Sequence, residues 1–456
     1  MRDISQGADR REFIKIAGAT TLASTMAVPH VFAQAGSDHK LQLALIGTGG
    51  RGTGAVADAI NGSNYPVKLT AMADLFPHRL ESSYSSLMQA FGSKPGVIDV
   101  PPERRYTGFD AYKQAMDALN PGDIAMFTSP CCFRWVHYQY AIERGLHVFM
   151  EKPITTDGPT SRRMLELAKQ ADAKNLKGAV GLMVRHCRGR QELHKRIEDG
   201  EIGELISMRA NRMAASGGHA PRPKSPEENE LLFQVRNFTA FMWTGGGLYS
   251  DYNIHQIDEV CWMKNAWPVK AHALGGRQYR NNQVDQNFDI YSVEYTFEDG
   301  THFFFNGRKM PGCKNEFASY VHGTKGSAIV STSAHYPGRV RTFNSQRQHR
   351  DDLAWAYPQP EKNPYELEWT DLIDAIVEDK PYNEIPRGVE ASVVSFMGRY
   401  AAHTGQEVTY EEALNHSHEL APDVANFTED SPAPLTPDAD GHYPYPQPGI
   451  LRDREY

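Results

Sequence analysis

Hydrophobic and polar positions follow two different patterns along the chain, one before and one after about residue 185. Over residues 41–184, short apolar and β-branched runs alternate with stretches in which apolar residues recur at helical spacing. This alternation predicts βαβ units and a parallel sheet. The predicted strands are residues 41–46, 67–73, 124–128, 146–150 and 179–184, and the predicted helices are residues 53–60, 109–119, 136–144 and 160–174.

After residue 185 the strands become longer and hairpin signals appear. An antiparallel sheet with few helices is the simplest account of strands predicted at residues 205–212, 269–274, 289–297 and 301–306, the last after an Asp299-Gly300 turn. Residues 216–229 are rich in Gly, Pro and Glu without periodicity, which is typical of a lid or surface loop.

The two patterns divide the chain into parts. We predict a nucleotide-binding domain over residues 41–184 and a second, α+β domain over residues 185–420. The Pro-rich tail, residues 430–456, is predicted to be extended and could wrap a neighbouring molecule.

The first 35 residues predict export. Arg10-Arg11 lies in a twin-arginine run, a weakly apolar stretch follows over residues 16–32, and Ala33-Gln34-Ala35 resembles a cleavage site. We interpret residues 1–35 as a Tat signal peptide, which implies the Tat export machinery as a partner and a periplasmic mature protein. The Tat route carries folded proteins, so a cofactor could be loaded before export.

Composition narrows the function classes. The chain has 456 residues, a formal net charge of −8 and 40% hydrophobic residues, enough for two buried cores. No basic stripe with interleaved aromatics is present, so nucleic-acid binding is not expected, and outside the signal no apolar run approaches the ~20 residues that span a bilayer.

The cysteines and histidines do not form a recognisable metal or disulfide framework. Five cysteines are sparse and odd in number, which favours free or buried thiols over disulfides. His186-Cys187 and His194 lack the second close pair of a structural zinc site, so no metal is expected.

The first chemical motif follows the first predicted strand. Gly47-Thr48-Gly49-Gly50-Arg51-Gly52 has the glycine spacing of a strand that turns into a helix against a pyrophosphate. Asp74 ends the second strand, 22 residues after Gly52, where a carboxylate accepts hydrogen bonds from the adenosine ribose and repels a 2′-phosphate. The pair predicts NAD binding, while Arg51 inside the loop leaves NADP open.

Two further motifs carry candidate catalytic groups. Glu151-Lys152-Pro153 closes the strand at Met150, at the sheet edge where open α/β folds bind ligands. Gly245-Gly246-Gly247 precedes a helix whose apolar residues are Ile254, Ile257 and Cys261 and whose other face presents Asp251 and His255.

These three motifs, in this order and spacing, resemble the Gfo/Idh/MocA family of oxidoreductases over residues 41–412. The resemblance implies an N-terminal Rossmann domain with a doubly wound parallel sheet and a C-terminal α+β domain with an open, mainly antiparallel sheet that often makes oligomer contacts. It implies that Lys152, Asp251 and His255 are catalytic. It also implies NAD(P) bound by Gly47, Gly49, Gly50, Arg51, Gly52, Asp74, Ser129, Pro130, Glu151 and Lys152.

The sequence departs from the family after the fourth strand. Many members have Thr-Pro and then a histidine there, whereas this chain has Ser129-Pro130 and places Arg134 near the histidine position. Arg134 is therefore a candidate substrate residue. Arg185 and His186, which end the last predicted strand, are further candidates, although His186 could equally be structural. Trp243 and Tyr249 could offer faces to a sugar ring or belong to the core.

The leading hypothesis is an exported, homo-oligomeric NAD(P)-dependent oxidoreductase that removes hydride from a ring hydroxyl of a sugar, polyol or glycoside. In this interpretation His255 is the base, Lys152 the cation beside the developing alkoxide, and Asp251 orients the imidazole or a substrate hydroxyl. The alternative is an NAD-dependent glycoside hydrolase acting by transient oxidation, elimination and water addition. Its relatives carry Tyr-Pro-Thr-His where this chain has Tyr252-Asn253-Ile254-His255. A third hypothesis is a non-catalytic sugar sensor.

Overall fold

The computed structural model describes residues 40–214, 224–225, 227–278 and 284–456. The predicted export signal and most of the predicted loop at residues 216–229 lie outside these described residues. Within them, the chain forms two separate sheets with helices packed on both.

The first sheet is six-stranded and entirely parallel, with strand order β3-β2-β1-β4-β5-β6. Its strands are β1 (Leu41–Ile46), β2 (Val67–Asp74), β3 (Arg105–Thr107), β4 (Ile124–Phe127), β5 (His147–Met150) and β6 (Gly178–Val180). The sequence pattern missed β3, which is short and only partly buried. It also extended β6 too far, because residues after Val180 leave the sheet and form a 3₁₀ turn at Met183–His186.

Helices cover both faces of this sheet. They are α1 (Gly50–Gly62), α2 (Pro77–Phe91), α3 (Ala111–Asp117), α4 (Arg134–Glu143) and α5 (Gly158–Ala173). Successive residues of β1 point to opposite faces, so Leu43 and Leu45 join the core on one side while Ala44 and Ile46 join the core on the other. Burial on both faces explains why β1 is an unbroken apolar run.

The second sheet has nine strands in the order β14-β13-β12-β11-β7-β10-β9-β8-β15. All neighbours are antiparallel except β7 and β10. The strands are β7 (Leu205–Ala214), β8 (Lys270–Gly276), β9 (Ile290–Thr296), β10 (His302–Lys309), β11 (Glu316–Gly323), β12 (Ser327–Thr332), β13 (Arg341–Phe343), β14 (Leu353–Ala356) and β15 (Val408–Thr409). The predicted fold class, a doubly wound parallel sheet plus a mainly antiparallel one, is confirmed.

Two long helices, α9 and α11, pack on one face of this second sheet. The helices after residue 185 are α6 (Arg188–Glu198), α7 (Glu230–Arg236), α8 (Met242–Gly245), α9 (Gly247–Lys264), α10 (Pro364–Val377), α11 (Ile385–Thr404) and α12 (Tyr410–Asn415). Helix α9 carries Asp251 and His255, so the second sheet supports one wall of the candidate site.

Helix α10 returns to the first sheet late in the chain. Trp369, Leu372 and Ile373 belong to the same buried core as Leu43, and the Trp369 ring stacks on Phe149 with centroids 4.3 Å apart. The core of the nucleotide-binding half is therefore completed by residues almost 200 positions beyond residue 184.

The tail over residues 430–456 has no helix or regular strand and packs on its own chain. Leu435 and Tyr443 are buried in a core with Phe241, and Glu455 is fully buried. All five cysteines are free thiols, four of them buried. Among the described helices, none combines the length and apolarity needed to cross a bilayer.

Buried His147 makes the stability of the fold sensitive to acid. Its Nδ1 accepts a hydrogen bond from the backbone N–H of Lys177 at 2.9 Å, and burial together with the Lys177 charge lowers its pKa to about 3. The unfolded chain takes up this proton near pH 6.5, whereas the folded chain does so only near pH 3. The free energy of unfolding must therefore fall as the pH drops through this window.

We expect His147→Gln to reduce that pH slope by about 1.4 kcal/mol per pH unit, because the amide can accept the same hydrogen bond without titrating. Urea unfolding between pH 6 and pH 4 measures the slope. His272→Gln, at an exposed position of β8, is the matched control. Identical slopes in wild type and His147→Gln would contradict this account.

Candidate active site

A glycine-lined groove opens at the carboxyl ends of β1, β2 and β4. Gly47 has a φ of +94°, and a Cβ on Gly52 would lie only 2.2 Å from the Gly47 carbonyl oxygen. By contrast, a Cβ on Gly49 or Gly50 would meet nothing within 4 Å, and both residues line the groove. Because α1 begins here without a side-chain cap, its first amides and positive dipole end fit a pyrophosphate.

Asp74 lines this groove at the end of β2. Its Oδ2 accepts hydrogen bonds from Thr48 N at 2.6 Å and Thr48 Oγ1 at 2.9 Å, and its Oδ1 accepts one from Phe76 N at 2.9 Å. The carboxylate thus ties the glycine loop to β2. The residue is positioned where the fingerprint requires an acceptor for ribose hydroxyls.

Phe76 and Arg79 extend the same wall, and the sequence analysis overlooked both. The guanidinium carbons of Arg79 and Arg236 lie 4.8 and 4.9 Å from the Phe76 ring centroid. Arg79 also donates to the backbone oxygen of Arg236 at 3.2 Å. This arrangement holds an aromatic face and a cation beside Asp74.

The guanidinium of Arg51 is committed to carboxylates. It donates to Glu151 at 2.7 Å and Asp58 at 3.0 Å, and Glu368 lies 3.9 Å away. Burial alone would lower the pKa of Arg51, but these carboxylates, Glu151 foremost, raise it above its usual value. Arg51 was the reason to keep NADP open, and these bonds remove that reason.

A second cavity of about 950 Å³ adjoins the groove and is partly open to solvent. Arg51, Thr128, Ser129 and Pro130 line both spaces, so the two are direct neighbours. The cavity also brings together Glu151 and Lys152, which follow β5, with Asp251 and His255, which lie on α9. A ligand in the cavity would thus lie beside one end of a nucleotide in the groove.

Lys152, which follows β5, contacts Asp251 on α9. Lys152 Nζ donates to Asp251 Oδ1 at 3.1 Å and also to the Asp251 backbone oxygen. The two side chains are 15% and 17% exposed, so the pair is largely shielded but still reachable from the cavity. Gly246, with a φ of +74°, provides the left-handed residue from which α9 begins.

His255 lies one helical turn beyond Asp251 and is buried. Its ring centroid lies 4.3 Å from that of His335, and its Nδ1 has no hydrogen-bond partner among the described residues. Burial, and then the neighbouring His335 and Lys152, lower the pKa of His255 well below its usual value. The imidazole is therefore neutral and able to accept a proton.

Residues 190–329 match the family model described as GFO/IDH/MocA C-terminal domain. This match supports the resemblance of the chain to the Gfo/Idh/MocA oxidoreductases.

Two curated relatives agree with this family. Inositol 2-dehydrogenase of Corynebacterium glutamicum is 28% identical over 166 residues, which is 36% of this chain and 42% of the relative. D-glucoside 3-dehydrogenase of Escherichia coli is 27% identical over 266 residues, which is 56% of this chain and 66% of the relative. The chain thus spans 42% and 66% of the length of these two relatives.

Solved structures agree in fold. Aldose-aldose oxidoreductase from Caulobacter crescentus aligns with a TM-score of 0.61 at 18% identity, over 81% of this chain and all of that one. Levoglucosan dehydrogenase in complex with NADH and levoglucosan aligns with a TM-score of 0.60 at 17% identity, over 82% and 100% of the two chains. At these identities the likeness establishes the fold.

Arg134, the residue near the family's histidine position, lines this second cavity. It is 2% exposed, and its Nη1 donates to the Phe127 backbone oxygen at 2.9 Å. The structure therefore brings this candidate substrate residue to the same space as Lys152 and His255.

Arg185 and His186 are not among the residues that line the cavity, contrary to the prediction that they could reach substrate. They lie in the 3₁₀ turn that replaces the end of the last predicted strand. Arg185 forms a bidentate ion pair with Asp258 at 2.7–3.0 Å, and His186 Nδ1 lies 2.7 Å from Asp371 Oδ2. Both side chains are held in internal ion pairs.

Trp243 and Tyr249 belong to the core, so the sugar-stacking interpretation is wrong for both. Each is fully buried. Trp243 Nε1 donates to Gln234 Oε1 at 2.7 Å, and the Tyr249 hydroxyl bonds the Tyr295 hydroxyl at 2.9 Å. Of the two alternatives left open by the sequence, the tertiary packing selects the structural one.

Side chains that line the cavity but were not predicted from the sequence include Arg212, Tyr252, His335 and Tyr365. Tyr252 could have been found, since it adjoins Asp251. The other three come from β7, from the segment after β12 and from α10, and no local pattern connects them with the motifs.

Proposed function

We propose that the protein is an exported NAD-dependent oxidoreductase that removes hydride from a ring hydroxyl of a sugar, polyol or glycoside. One observation carries the proposal: the Lys152–Asp251 pair and neutral His255 line a cavity that adjoins a glycine-lined groove. The relatives named above, dehydrogenases of inositol and glucosides, support the substrate class.

The residues suit the removal of a hydroxyl proton during hydride loss. His255, held neutral, accepts the proton, and the Lys152 ammonium stabilises the developing alkoxide. Asp251 holds Lys152 through a direct hydrogen bond, so we assign it to the lysine instead of the imidazole. NAD, when bound in the groove, would supply the hydride acceptor.

The cofactor proposed is NAD, held by Gly47, Gly49, Gly50 and Gly52 and by Asp74 on the ribose side. Ser129 and Pro130 line both the groove and the cavity. Glu151 accepts a hydrogen bond from Arg51 and so stabilises the glycine loop. NADH in the levoglucosan dehydrogenase complex supports this choice.

We expect Asp74→Asn to reduce the preference for NADH over NADPH by about 10–100-fold. The substitution removes the charge that repels a 2′-phosphate but keeps an oxygen that can accept from Thr48 N, and charged hydrogen bonds contribute about 1.5–3 kcal/mol. Equilibrium binding of both reduced cofactors, followed by fluorescence, measures the ratio. Asp58→Asn, which removes a carboxylate on the Arg51 side, is the matched control and should leave the ratio unaltered.

Absorbance at 340 nm of purified holoenzyme tests the reaction class when sugars and glycosides are added and aglycone release is followed in parallel. A lasting rise without aglycone release supports a dehydrogenase. Aglycone release without a lasting rise in absorbance would favour the redox-assisted glycoside hydrolase over the dehydrogenase. Binding without either signal would indicate a sugar sensor.

Export is proposed from residues 1–35 alone. The expected result is mature protein in the periplasm that releases nicotinamide on denaturation. Arg10→Lys with Arg11→Lys should retain the protein in the cytoplasm, and unchanged secretion would overturn the Tat assignment.

A further inference from the structure

The catalytic cavity carries more positive charge than its own carboxylates can neutralise. Four cationic side chains line it, Arg51, Arg134, Lys152 and Arg212, against two carboxylates, Glu151 and Asp251. Two of the cations are accounted for, because Arg51 is bonded to Glu151 and Lys152 is bonded to Asp251. The guanidiniums of Arg134 and Arg212 remain without such a partner.

Arg134 is the more deeply buried of the two. Its Nη1 donates to a backbone carbonyl, that of Phe127, and its Nε has no hydrogen-bond partner within the described part of the chain. No carboxylate of the described residues lies within ion-pair distance of it. Glu151 and Asp251 act on Arg134 only from beyond ion-pair distance. A guanidinium that is 2% exposed and has no direct counter-charge is energetically expensive, and an anion from outside the protein would lower that cost.

Arg212 projects from β7 and is half-buried. Its Nη1 lies 2.9 Å from His335 Nε2, and its guanidinium carbon lies 4.4 Å from the Phe317 ring centroid. An imidazole and an aromatic face fix the guanidinium in place without cancelling its charge. Within the described ranges it too has no carboxylate partner at ion-pair distance.

The two histidines of the cavity do not balance this charge. Burial lowers the pKa of His335 well below its usual value, and Arg212 and Arg190 lower it further, so both His255 and His335 are neutral. Because Nε2 of His335 accepts from Arg212, the proton of the neutral ring lies on Nδ1.

A dinucleotide would not balance the charge either. Its pyrophosphate is expected at Gly49 and Gly50, which line the groove, whereas Arg134 and Arg212 line only the cavity. Oxidised nicotinamide would add a further positive charge. A substrate that carries an anionic group would supply the missing charge.

We propose that the substrate is an acidic sugar whose carboxylate is bound by Arg212 and Arg134, as in a hexuronic acid or its glycoside. This inference rests on the proposed function and narrows its substrate class. A guanidinium presents paired donors that match a carboxylate. Sulfate and phosphate esters share that anionic chemistry, and the experiment separates them.

The test uses full-length holoenzyme at constant ionic strength and compares D-glucuronate with D-glucose and D-galacturonate with D-galactose. Glucose 6-sulfate and glucose 6-phosphate form separate arms. Two readouts are taken, the shift in melting temperature and kcat/KM from absorbance at 340 nm. We expect at least one uronate to raise the melting temperature more than its neutral partner and to be oxidised at least about tenfold more efficiently.

The variant Arg212→Gln should lower the preference for the uronate by about 10–100-fold, the range of a charged hydrogen bond. Arg209→Gln is the matched control, because Arg209 lies on the same strand but is exposed on the other side of the sheet. Wild-type preference should survive in this control.

Equal or weaker thermal stabilisation by both uronates, relative to their neutral partners, would overturn the inference. Oxidation of neutral sugars in that case would leave the proposed function standing. Stabilisation by a uronate that is lost in Arg212→Gln, without oxidation of any sugar, would support the anion site while refuting the dehydrogenase. A preference for glucose 6-sulfate or glucose 6-phosphate would support an anion-binding site but would contradict a carboxylate as its ligand.

Discussion

Lys152→Ala and His255→Ala are each expected to lower kcat by about 10²–10⁴-fold while the protein keeps its fold and cofactor. In the proposed mechanism His255 is the neutral base beside the cavity, and Lys152 is the ammonium held by Asp251. Loss of either leaves the hydroxyl proton or the developing alkoxide without its partner.

Steady-state kinetics with retained nicotinamide as a loading control measures the effect. Lys169→Ala removes an ammonium that is 75% exposed on α5, and His272→Ala removes an exposed imidazole on β8. Both should retain wild-type turnover. Near-normal kcat in Lys152→Ala and His255→Ala would require other catalytic groups.

The pH profile provides a second readout for His255. A base must be unprotonated, so kcat/KM falls as the pH drops through its pKa in the free enzyme. Burial and neighbouring cations hold that pKa well below 6.5. The acidic limb should therefore lie below pH 6.5, and a limb above it would contradict the assignment.

Glu455→Ala is expected to reduce the free energy of unfolding by about 3–5 kcal/mol, because it leaves a buried guanidinium without its counter-charge. The Glu455 carboxylate accepts from Arg399 Nε and Nη2, both at 2.8 Å, and lies 2.7 Å from His403 Nδ1. All three side chains are fully buried. Urea unfolding at neutral pH measures the loss.

Asp453→Ala, an exposed substitution two residues earlier, is the control and should change stability by less than about 0.5 kcal/mol. Replacing both partners, Arg399→Leu with Glu455→Leu, should cost less than Glu455→Ala, since no charge remains uncompensated. A double variant less stable than Glu455→Ala would refute the explanation.

This ion pair also connects the tail to α9, the helix that carries Asp251 and His255. Arg399 Nη1 donates to the Gly246 backbone oxygen and to Ser250 Oγ, both at 3.1 Å, where α9 begins. We therefore expect Glu455→Ala to lower kcat as well as stability.

Burial alone would raise the pKa of Glu455, but Arg399 and His403 lower it to about 2. This stabilisation is present above about pH 4.5 and is lost as the pH falls towards 2.

The local elements were predictable where one short segment contains all the information. β1 spans Leu41–Ile46 as predicted, and α9 presents Asp251 and His255 one turn apart. Glycine spacing identified the groove, since turn geometry and close approach depend on neighbouring residues. Asp74 and Lys152 followed because parallel strands end at one edge of their sheet.

Residues chosen by type alone were less predictable. Trp243 and Arg185 have side chains suited to a sugar site, but the first is bonded to Gln234 and the second to Asp258. Whether an aromatic or charged side chain faces a cavity or a partner depends on distant segments. Composition and periodicity do not identify those partners.

By itself, the sequence determined the alternation of strands and helices, the glycine-lined groove and the three motifs that carry candidate chemistry. Only the tertiary structure decided that Arg134, Arg212 and His335 share one cavity, that α10 completes the first core and that Glu455 neutralises Arg399. The physical reason is the distance along the chain over which each kind of interaction acts. Backbone geometry and side-chain periodicity act over a few residues, whereas burial and charge compensation join residues far apart in sequence, and only the folded chain specifies which ones meet.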